Sequence, residues 1–169
     1  RARQFTSKLR GSWEKVDATV AEDVRSVLRQ CKLTAIATTA LTPSIADLSE
    51  CLPGSTILHT SLRDLAPEVI LECDNIVDDV DHVCRAATSV HLAEQLSGNR
   101  DFIRCTLADI TSGRRPARRD SKSIAVFSPF GLGVLDMAVA QLVVKQGREQ
   151  QEGTVIESFL PDSSWLADD

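Results

Sequence analysis

The sequence contains no tyrosine, and aromatic residues make up only 4% of its 169 residues. Proteins that bind single-stranded nucleic acid usually stack the bases on aromatic side chains, so this class is disfavoured. The formal net charge of −5 points in the same direction, because binding to nucleic acid or to an anionic membrane relies on positive charge. We therefore expect neither nucleic acid nor a membrane surface as a partner.

Long apolar runs are also missing. The most apolar stretch, residues 132–144, is interrupted by Asp136 and Gln141 and is shorter than the roughly 20 residues that span a bilayer. The first ten residues are polar and basic and lack the apolar segment of a signal peptide. The sequence therefore predicts a soluble, cytoplasmic protein.

Paired metal-binding and disulfide motifs are absent as well. The cysteines are odd in number, and no two of them have Cys-x-x-Cys spacing: Cys31, Cys51, Cys73, Cys84 and Cys105. A zinc site needs closely spaced Cys and His residues, so we expect free thiols in a reducing compartment and no metal. The acidic segment 78–82 lacks calcium-loop spacing, and we expect Asp81 to cap a helix there.

What the sequence does contain is an alternation of strand and helix patterns. Strands are predicted at 16–20, 33–39, 55–61, 75–80 and 123–128. Helices are predicted at 2–9, 21–31, 66–73, 81–110 (with a break at 97–99) and 134–146. This alternation is typical of a parallel α/β sheet. The helix at 134–146 is apolar on almost every side, which predicts burial against another domain or subunit.

The glycine motif of a complete dinucleotide-binding sheet is missing. Such a sheet carries Gly-x-Gly-x-x-Gly after its first strand, whereas the only close glycine pair here, Gly131 and Gly133, follows the last predicted strand. We therefore predict a partial Rossmann-like parallel sheet with flanking helices that lacks the first βαβ phosphate-binding unit.

Two predicted strand ends carry side chains suited to chemistry. The first ends in Thr38 and Thr39, whose hydroxyl groups can bond a ribose or an amide at the carboxyl edge of the sheet. After the next strand, Arg63 can bind a substrate carboxylate, and Asp64 with a raised pKa can act as a general acid or base. An ordinary polar strand end, and a surface salt bridge or helix cap, are the respective alternatives.

Two further segments can bind an anion. Residues 130–133 lead from a strand into a helix, where backbone N–H groups can receive an anion or an amide oxygen; the alternative is a tight turn that needs glycine for packing. The stretch 113–119 contains Arg114, Arg115, Arg118 and Arg119. These arginines can hold a phosphate, but an exposed, mobile loop is the favoured interpretation.

Taken together and in this order, the motifs resemble one family. Thr-Thr-Ala-Leu at 38–41 and the segments at 61–67, 75–83 and 128–138 resemble the C-terminal half of the ornithine cyclodeaminase/mu-crystallin family. The segments at 88–95 and 98–103 look most like the branch of N-(2-amino-2-carboxyethyl)-L-glutamate dehydrogenases, which supplies 2,3-diaminopropionate for siderophores and peptide antibiotics. The resemblance extends to about Gly147.

The resemblance implies NAD as the cofactor and an amino acid as the substrate. NAD takes a hydride from the glutamate carbon, and the imine is hydrolysed to 2,3-diaminopropionate and 2-oxoglutarate. Asp64 falls on the family's catalytic acid/base, and residues 17–20 on a turn near the adenine. The implied cofactor contacts are Thr38, Thr39, Leu41, Ser61, Ser128, Phe130, Gly131 and Gly133, whereas Arg63 as a substrate contact is inferred from its chemistry alone.

The resemblance also implies an organisation. Residues 1–122 would form a partial NAD-binding domain, 123–150 a strand and helix returning toward a substrate and dimerisation domain, and 151–169 a polar tail. A homodimer is expected, and so is a missing N-terminal half, without which we expect weak NAD binding and no turnover. Ornithine cyclodeaminase, alanine dehydrogenase, ketimine reductase, a non-catalytic mu-crystallin-like binding module and a degenerate fragment with only an interaction role remain alternatives.

Overall fold

The computed structural model describes residues 1–12 and 16–156, in two compact units that divide after Gly131. The helices in the described residues are α1 (Ala2–Ser12), α2 (Val24–Gln30), α3 (Pro67–Glu72), α4 (Val80–Val83), α5 (Ser89–Ser97), α6 (Leu107–Thr111) and α7 (Gly133–Gln150). The strands are β1 (Leu33–Ile36), β2 (Thr56–His59), β3 (Asp74–Val77), β4 (Ile103–Thr106) and β5 (Ala125–Ser128). None of these helices is long and apolar enough to cross a membrane.

The five strands form one parallel sheet in the order β1-β2-β5-β3-β4. The last strand in the chain, β5, is inserted between β2 and β3, and it therefore lies at the centre of the sheet. The predicted α/β class, a Rossmann-like parallel sheet with flanking helices, is confirmed. The division of the chain after Gly131 differs from the predicted boundary at residue 122, because β5 pairs with strands of the first unit.

The core follows from apolar residues on these central strands. All four residues of β3 are buried, as expected for a parallel strand covered on both faces. Ile57 of β2 and Val126 of β5 are fully buried and pack in one cluster with Leu65 and Ile70. A second cluster contains Val77, Val83, Cys84 and Val90. This core holds the strand ends in fixed relative positions.

Four of the helices, α2, α4, α5 and α6, begin at side-chain caps. Asp23 accepts a hydrogen bond from the Ser26 N–H at 2.7 Å at the start of α2. Thr88 caps α5, and Thr106 with Asp109 forms a capping box at α6. The cap of α4 is Asp79, which accepts from the His82 N–H at 2.8 Å, so the cap predicted at Asp81 was wrong by two residues.

Two predicted elements differ in the structure. Residues 16–20 form no strand, because they have no neighbouring strand to pair with. The predicted helix at 81–110 is instead α4, α5, the edge strand β4 and α6. Only Cys105 of β4 is buried. The sequence of β4 therefore lacks the continuous run of apolar residues that is typical of a central strand.

None of the described residues of helix α7 is buried. Val134, Leu135, Met137 and Val139 are each more than half exposed. The expected burial of this helix against another domain or subunit therefore stays a prediction.

The arginine-rich segment is anchored to the amino edge of the sheet by one buried carboxylate. Asp74, at the start of β3, accepts from Arg104 Nε at 2.5 Å and from the Arg119 backbone N–H at 2.9 Å. Arg104 also donates to the Pro116 carbonyl at 2.8 Å. The expectation of a mobile loop is therefore replaced by a segment tied to the sheet, because Asp74 is 1% exposed and needs these donors.

We predict that Asp74→Asn destabilises the fold by about 3 kcal/mol, because it leaves the partly buried Arg104 guanidinium without its charge partner. Urea unfolding measures this loss of free energy. Asp101→Asn, which makes the same chemical change at an exposed position, is the matched control. A loss below about 1 kcal/mol, the range of surface ion pairs, would contradict the role assigned to Asp74.

Candidate active site

Polar side chains from three neighbouring strands meet at the carboxyl edge of the sheet. Thr38 follows β1, His59 ends β2, Ser61 and Asp64 follow β2, and Ser128 ends β5. Parallel strands place their carboxyl ends at one edge, where ligands bind in open α/β sheets. The structure thus brings four of the predicted site residues together. With His59 they form what we call the Asp64 cluster: Thr38, His59, Ser61, Asp64 and Ser128.

Asp64 is 1% exposed, and its carboxylate is held by two hydroxyl groups. Thr38 donates to Oδ1 at 2.5 Å, and Ser61 donates to Oδ2. The Asp64 carbonyl accepts from the backbone N–H groups of Ser44 and Ile45, both at 2.8 Å. Main chain and side chain are therefore both fixed, as required of a group that must meet a substrate in one geometry.

The pKa of Asp64 lies below its ordinary value. Burial alone would raise it, but the hydrogen bonds from Ser61 and Thr38 outweigh burial and lower the pKa. The raised pKa expected from the sequence was therefore wrong. At neutral pH Asp64 is a carboxylate, which suits a group that accepts a proton.

His59 is a member of the cluster that the sequence analysis missed. Its side chain is fully buried, its Nε2 lies 3.2 Å from the Asp64 backbone N–H, and its Nδ1 lies 3.4 Å from Ser128 Oγ. Burial lowers the pKa of His59, although Asp64 acts in the opposite direction. Nε2 is also 3.5 Å from Asp64 Oδ2, but a nitrogen that accepts an N–H cannot donate to that carboxylate, so the neutral ring fits better.

The segment that carries Arg63 has an unusual backbone. Leu62 has a φ of 69°, and Ala86 and Ala87, on the facing segment, have φ of 53° and 52°. Side chains disfavour this left-handed region, and such conformations persist where surrounding contacts enforce them. Here the Leu62 carbonyl accepts from the Ser89 N–H at 2.7 Å, and Arg63 Nη2 donates to the Ala86 carbonyl at 2.9 Å.

The backbone N–H groups of Phe130 and Gly131 bind a carboxylate of this chain. Asp78, just after β3, accepts from Phe130 at 3.0 Å and from Gly131 at 2.7 Å. The anion predicted at this turn is thus supplied internally by Asp78. Gly131 has a φ of 100°, which glycine adopts readily.

Other predicted site residues lie outside the Asp64 cluster. Thr39 is exposed, and Leu41 is 85% exposed on the segment after β1. Gly133 is the first residue of α7 and belongs to the second unit. Residues 18–20, matched to the adenine turn, line a depression of about 450 Å³ together with α1.

A depression of about 710 Å³ lies at the opposite, amino edge of the sheet, beside Glu72, Cys73 and Arg119. None of the residues that line it belongs to the Asp64 cluster. We assign the site by its convergent polar groups.

In the described residues, the acidic side chains and the cysteines are not arranged for metal binding or thiol catalysis. No group of three His, Cys, Asp or Glu side chains there is placed to hold a metal ion. Asp78 and Asp79 bind backbone N–H groups, and Asp81 pairs with Arg100 at 2.7 Å. The five cysteines are unpaired and four are buried; burial raises the pKa of Cys73 to about 12 and of Cys84 to about 11, which disfavours the reactive thiolate.

Comparison with known sequences adds two relatives, and no family model matches the chain. The chain is 24% identical over 108 residues to the N-((2S)-2-amino-2-carboxyethyl)-L-glutamate dehydrogenase of Staphylococcus aureus, covering 63% of this chain and 32% of that protein. It is 24% identical over 98 residues to the alanine dehydrogenase of Archaeoglobus fulgidus, covering 57% and 30%. The match spans about a third of the length of these curated relatives.

Solved structures share the fold. Δ1-pyrroline-2-carboxylate reductase of Thermococcus litoralis, in complex with NADH and L-proline, superposes with a TM-score of 0.81 at 20% identity, over 92% of this chain and 49% of that one. An archaeal alanine dehydrogenase dimer with bound NAD gives 0.77 at 20% identity, over 94% and 49%. A probable ornithine cyclodeaminase from Bordetella pertussis Tohama I gives 0.75 at 20% identity, over 92% and 51%.

The fold and these similarities confirm the class indicated by the motifs: the chain resembles NAD-dependent amino-acid dehydrogenases and ornithine cyclodeaminases. The particular enzyme that the motifs indicated, N-(2-amino-2-carboxyethyl)-L-glutamate dehydrogenase, is one of the two curated relatives.

We predict that the fold loses stability as the pH falls below about 6.5, the ordinary histidine pKa. Because the pKa of His59 is lowered in the folded chain, the unfolded chain binds a proton there at a pH where the folded chain does not. The free energy of unfolding therefore falls by up to about 1.4 kcal/mol per pH unit. Asp64, whose pKa is also lowered, adds a further loss below about pH 3.9, where the unfolded carboxylate is protonated.

Urea unfolding of the unmodified chain and of His59→Gln between pH 7.5 and 5 measures the histidine contribution. The variant should show the shallower dependence, because glutamine does not titrate. Parallel curves would show that His59 is not a buried neutral histidine.

Proposed function

We propose that this chain provides the acid/base edge of an NAD-dependent amino-acid dehydrogenase of the ornithine cyclodeaminase type. The observation that carries the proposal is the buried carboxylate of Asp64, fixed by Thr38 and Ser61 at the carboxyl edge of a parallel sheet. By the resemblance, Asp64 also falls on the family's catalytic acid/base. Both curated relatives are dehydrogenases by name, and two of the superposed structures contain NAD or NADH.

The described residues fit one part of such a cofactor. The edge beyond β1 is open, and Thr38, Thr39 and Leu41 are exposed on it, so a ribose or nicotinamide can approach the sheet there. The phosphates would need the Gly-x-Gly-x-x-Gly turn, which the sequence does not contain. When bound, NAD supplies the hydride acceptor.

The chain's own residues would then move the proton. Asp64 is ionised at neutral pH because its pKa is lowered, so it can take a proton from the substrate amine as the carbon loses its hydride. It can return that proton during hydrolysis of the resulting imine. Ser61 and Thr38 keep the carboxylate in position through both steps.

Arg63 is the proposed substrate-binding residue. A guanidinium group has five N–H donors. In the described residues, the Arg63 side chain makes one hydrogen bond, from Nη2 to the Ala86 carbonyl. The remaining donors can form the paired hydrogen bonds that a carboxylate accepts. Arg63 can therefore bind one carboxylate of a substrate that has two or more.

Within this class we propose N-(2-amino-2-carboxyethyl)-L-glutamate as the substrate, with products that supply siderophore or peptide-antibiotic synthesis. The segments at 61–67, 88–95 and 98–103 and the Staphylococcus aureus relative support this choice. The alanine dehydrogenase similarity keeps alanine and related amino acids as the alternative. A substrate panel that includes both, with the Staphylococcus aureus enzyme as positive control, distinguishes them.

We further propose that the protein acts in the cytoplasm as a homodimer. Five unpaired cysteines fit a reducing compartment. The exposed apolar side chains of α7 are suited to burial in an interface, and the archaeal alanine dehydrogenase was solved as a dimer.

We predict that Asp64→Asn lowers turnover at least 100-fold, the usual scale of a general acid/base, while NAD affinity changes less than about threefold. NADH formation and calorimetric titration measure the two effects in the longest polypeptide in which this sequence is expressed. Asp101→Asn, at the opposite end of the strands, should leave both unchanged. Retained turnover in Asp64→Asn would rule out the catalytic role; an NAD-binding chain with no turnover before mutation would favour the binding module.

We predict that Arg63→Gln raises the KM for the dicarboxylate substrate about 10- to 100-fold, the scale of a lost charge-assisted hydrogen bond. The kcat should fall much less, because Arg63 does not touch the reacting proton. Steady-state kinetics separate the two constants. Arg115→Gln, on the exposed arginine-rich segment, is the control, and an unchanged KM in Arg63→Gln would remove Arg63 from the substrate site.

A further inference from the structure

His59 occupies a position where an apolar residue would be expected. It lies on the same face of β2 as Ile57, two residues earlier, and both side chains are fully buried. Strand β2 is flanked by β1 and β5, so the imidazole lies on a covered face of an internal strand, at that strand's carboxyl end. Burying a polar ring has a cost that apolar side chains avoid, so the ring must be explained by what it contacts.

The two ring nitrogens contact two different segments. Nε2 faces the backbone N–H of Asp64, which can only donate, at 3.2 Å. Nδ1 faces the Ser128 hydroxyl at 3.4 Å. Since Nε2 must accept, a neutral ring carries its proton on Nδ1 and donates it to Ser128 Oγ.

These contacts join the segment after β2 to the end of β5. Asp64 lies on the segment after β2, and Ser128 ends β5, just before the Phe130 and Gly131 N–H groups that Asp78 binds. His59 is therefore the link between the proposed acid/base residue and the turn after β5. Among the described residues, removing it would leave Asp64 hydrogen-bonded to the rest of the edge through Ser61, Thr38 and its own carbonyl.

We propose that His59 is a positioning residue, held as the neutral Nδ1–H tautomer, that fixes the Asp64 main chain relative to the end of β5. It touches neither substrate nor cofactor, and it acts through Asp64. The catalytic consequence rests on the proposed function; the tautomer and the Asp64 contact do not, and they can be measured without turnover.

Nitrogen NMR of ¹⁵N-histidine-labelled protein at neutral pH tests the tautomer. The sequence has three histidines, so His82→Gln and His91→Gln assign the signals. We expect a protonated Nδ1 and an unprotonated Nε2 for His59. An Nε2–H tautomer or a doubly protonated ring would overturn the proposal.

Two variants test the positioning role. His59→Leu keeps the volume and removes both contacts, and leucine suits a buried strand, so the fold should survive. Without its acceptor, the Asp64 amide should exchange with deuterium about tenfold faster. His59→Gln places an amide oxygen near the former Nε2 and should restore most of the protection. Equal exchange in His59→Leu and the unmodified chain would show that the contact does not hold Asp64.

Kinetics separate positioning from stability. His59→Leu should lower kcat at least tenfold, with the KM for NAD within about threefold, and His59→Gln should recover much of the kcat. The unfolding free energy at neutral pH should stay unchanged in both variants. A purely structural histidine would give the reverse, a stability change with unchanged kcat. The kinetics use the longest polypeptide in which this sequence is expressed. If that polypeptide shows no turnover before mutation, the proposed function fails, and the NMR and exchange results still decide the role of His59.

Discussion

The burial of one carboxylate sets the conditions for the whole carboxyl edge. Asp64 is almost fully buried, and a buried charge requires donors on every side. Those donors come from different strand ends, so they reach Asp64 only if β1 and β2 pair in the observed register, with Ile36 opposite His59. The Ile36 carbonyl accepts from the backbone of Thr60 and Ser61, which extends that register into the site. The pairing of β1 with β2 therefore also fixes the geometry of the site.

The balance of forces on Asp64 limits what it can do. Hydrogen bonds from Ser61 and Thr38 overcome desolvation and keep the pKa of Asp64 low, so the resting carboxylate is ready to accept a proton. Ser61 lies within reach of both Asp64 and the Ile36 carbonyl. Its hydroxyl can donate to the carboxylate when Asp64 is charged, and it can accept from the carboxyl group and donate to Ile36 when Asp64 is protonated. The edge can thus stabilise both protonation states in turn.

Much of this was predictable because it depends on local pattern. Apolar strands indicated the parallel α/β class, and the polar strand ends pointed to Thr38 and Asp64. Ser61 and Ser128 were named only through the family resemblance. The remainder depends on contacts between distant segments. β4 is visible only through its pairing with β3, and residues 16–20 resemble a strand but have no partner. His59 could have been noticed as a polar residue in register with Ile57, whereas the capture of the Phe130 and Gly131 N–H groups by Asp78, some fifty positions away, has no local signature.

Two equally buried aspartates at opposite ends of the sheet show why only one is suited to chemistry. Asp74 and Asp64 are each 1% exposed. Asp74 is neutralised by the Arg104 guanidinium and also accepts from the Arg119 backbone N–H. Its charge therefore holds the arginine-rich segment in place. Asp64 has no arginine or lysine partner in the described residues; its partners are hydroxyl groups, its own backbone contacts and a neutral histidine. Its charge is oriented but uncompensated, and an approaching ammonium or iminium group of a substrate would supply the missing positive charge. The same residue type serves structure at the amino edge and is left available for a ligand at the carboxyl edge.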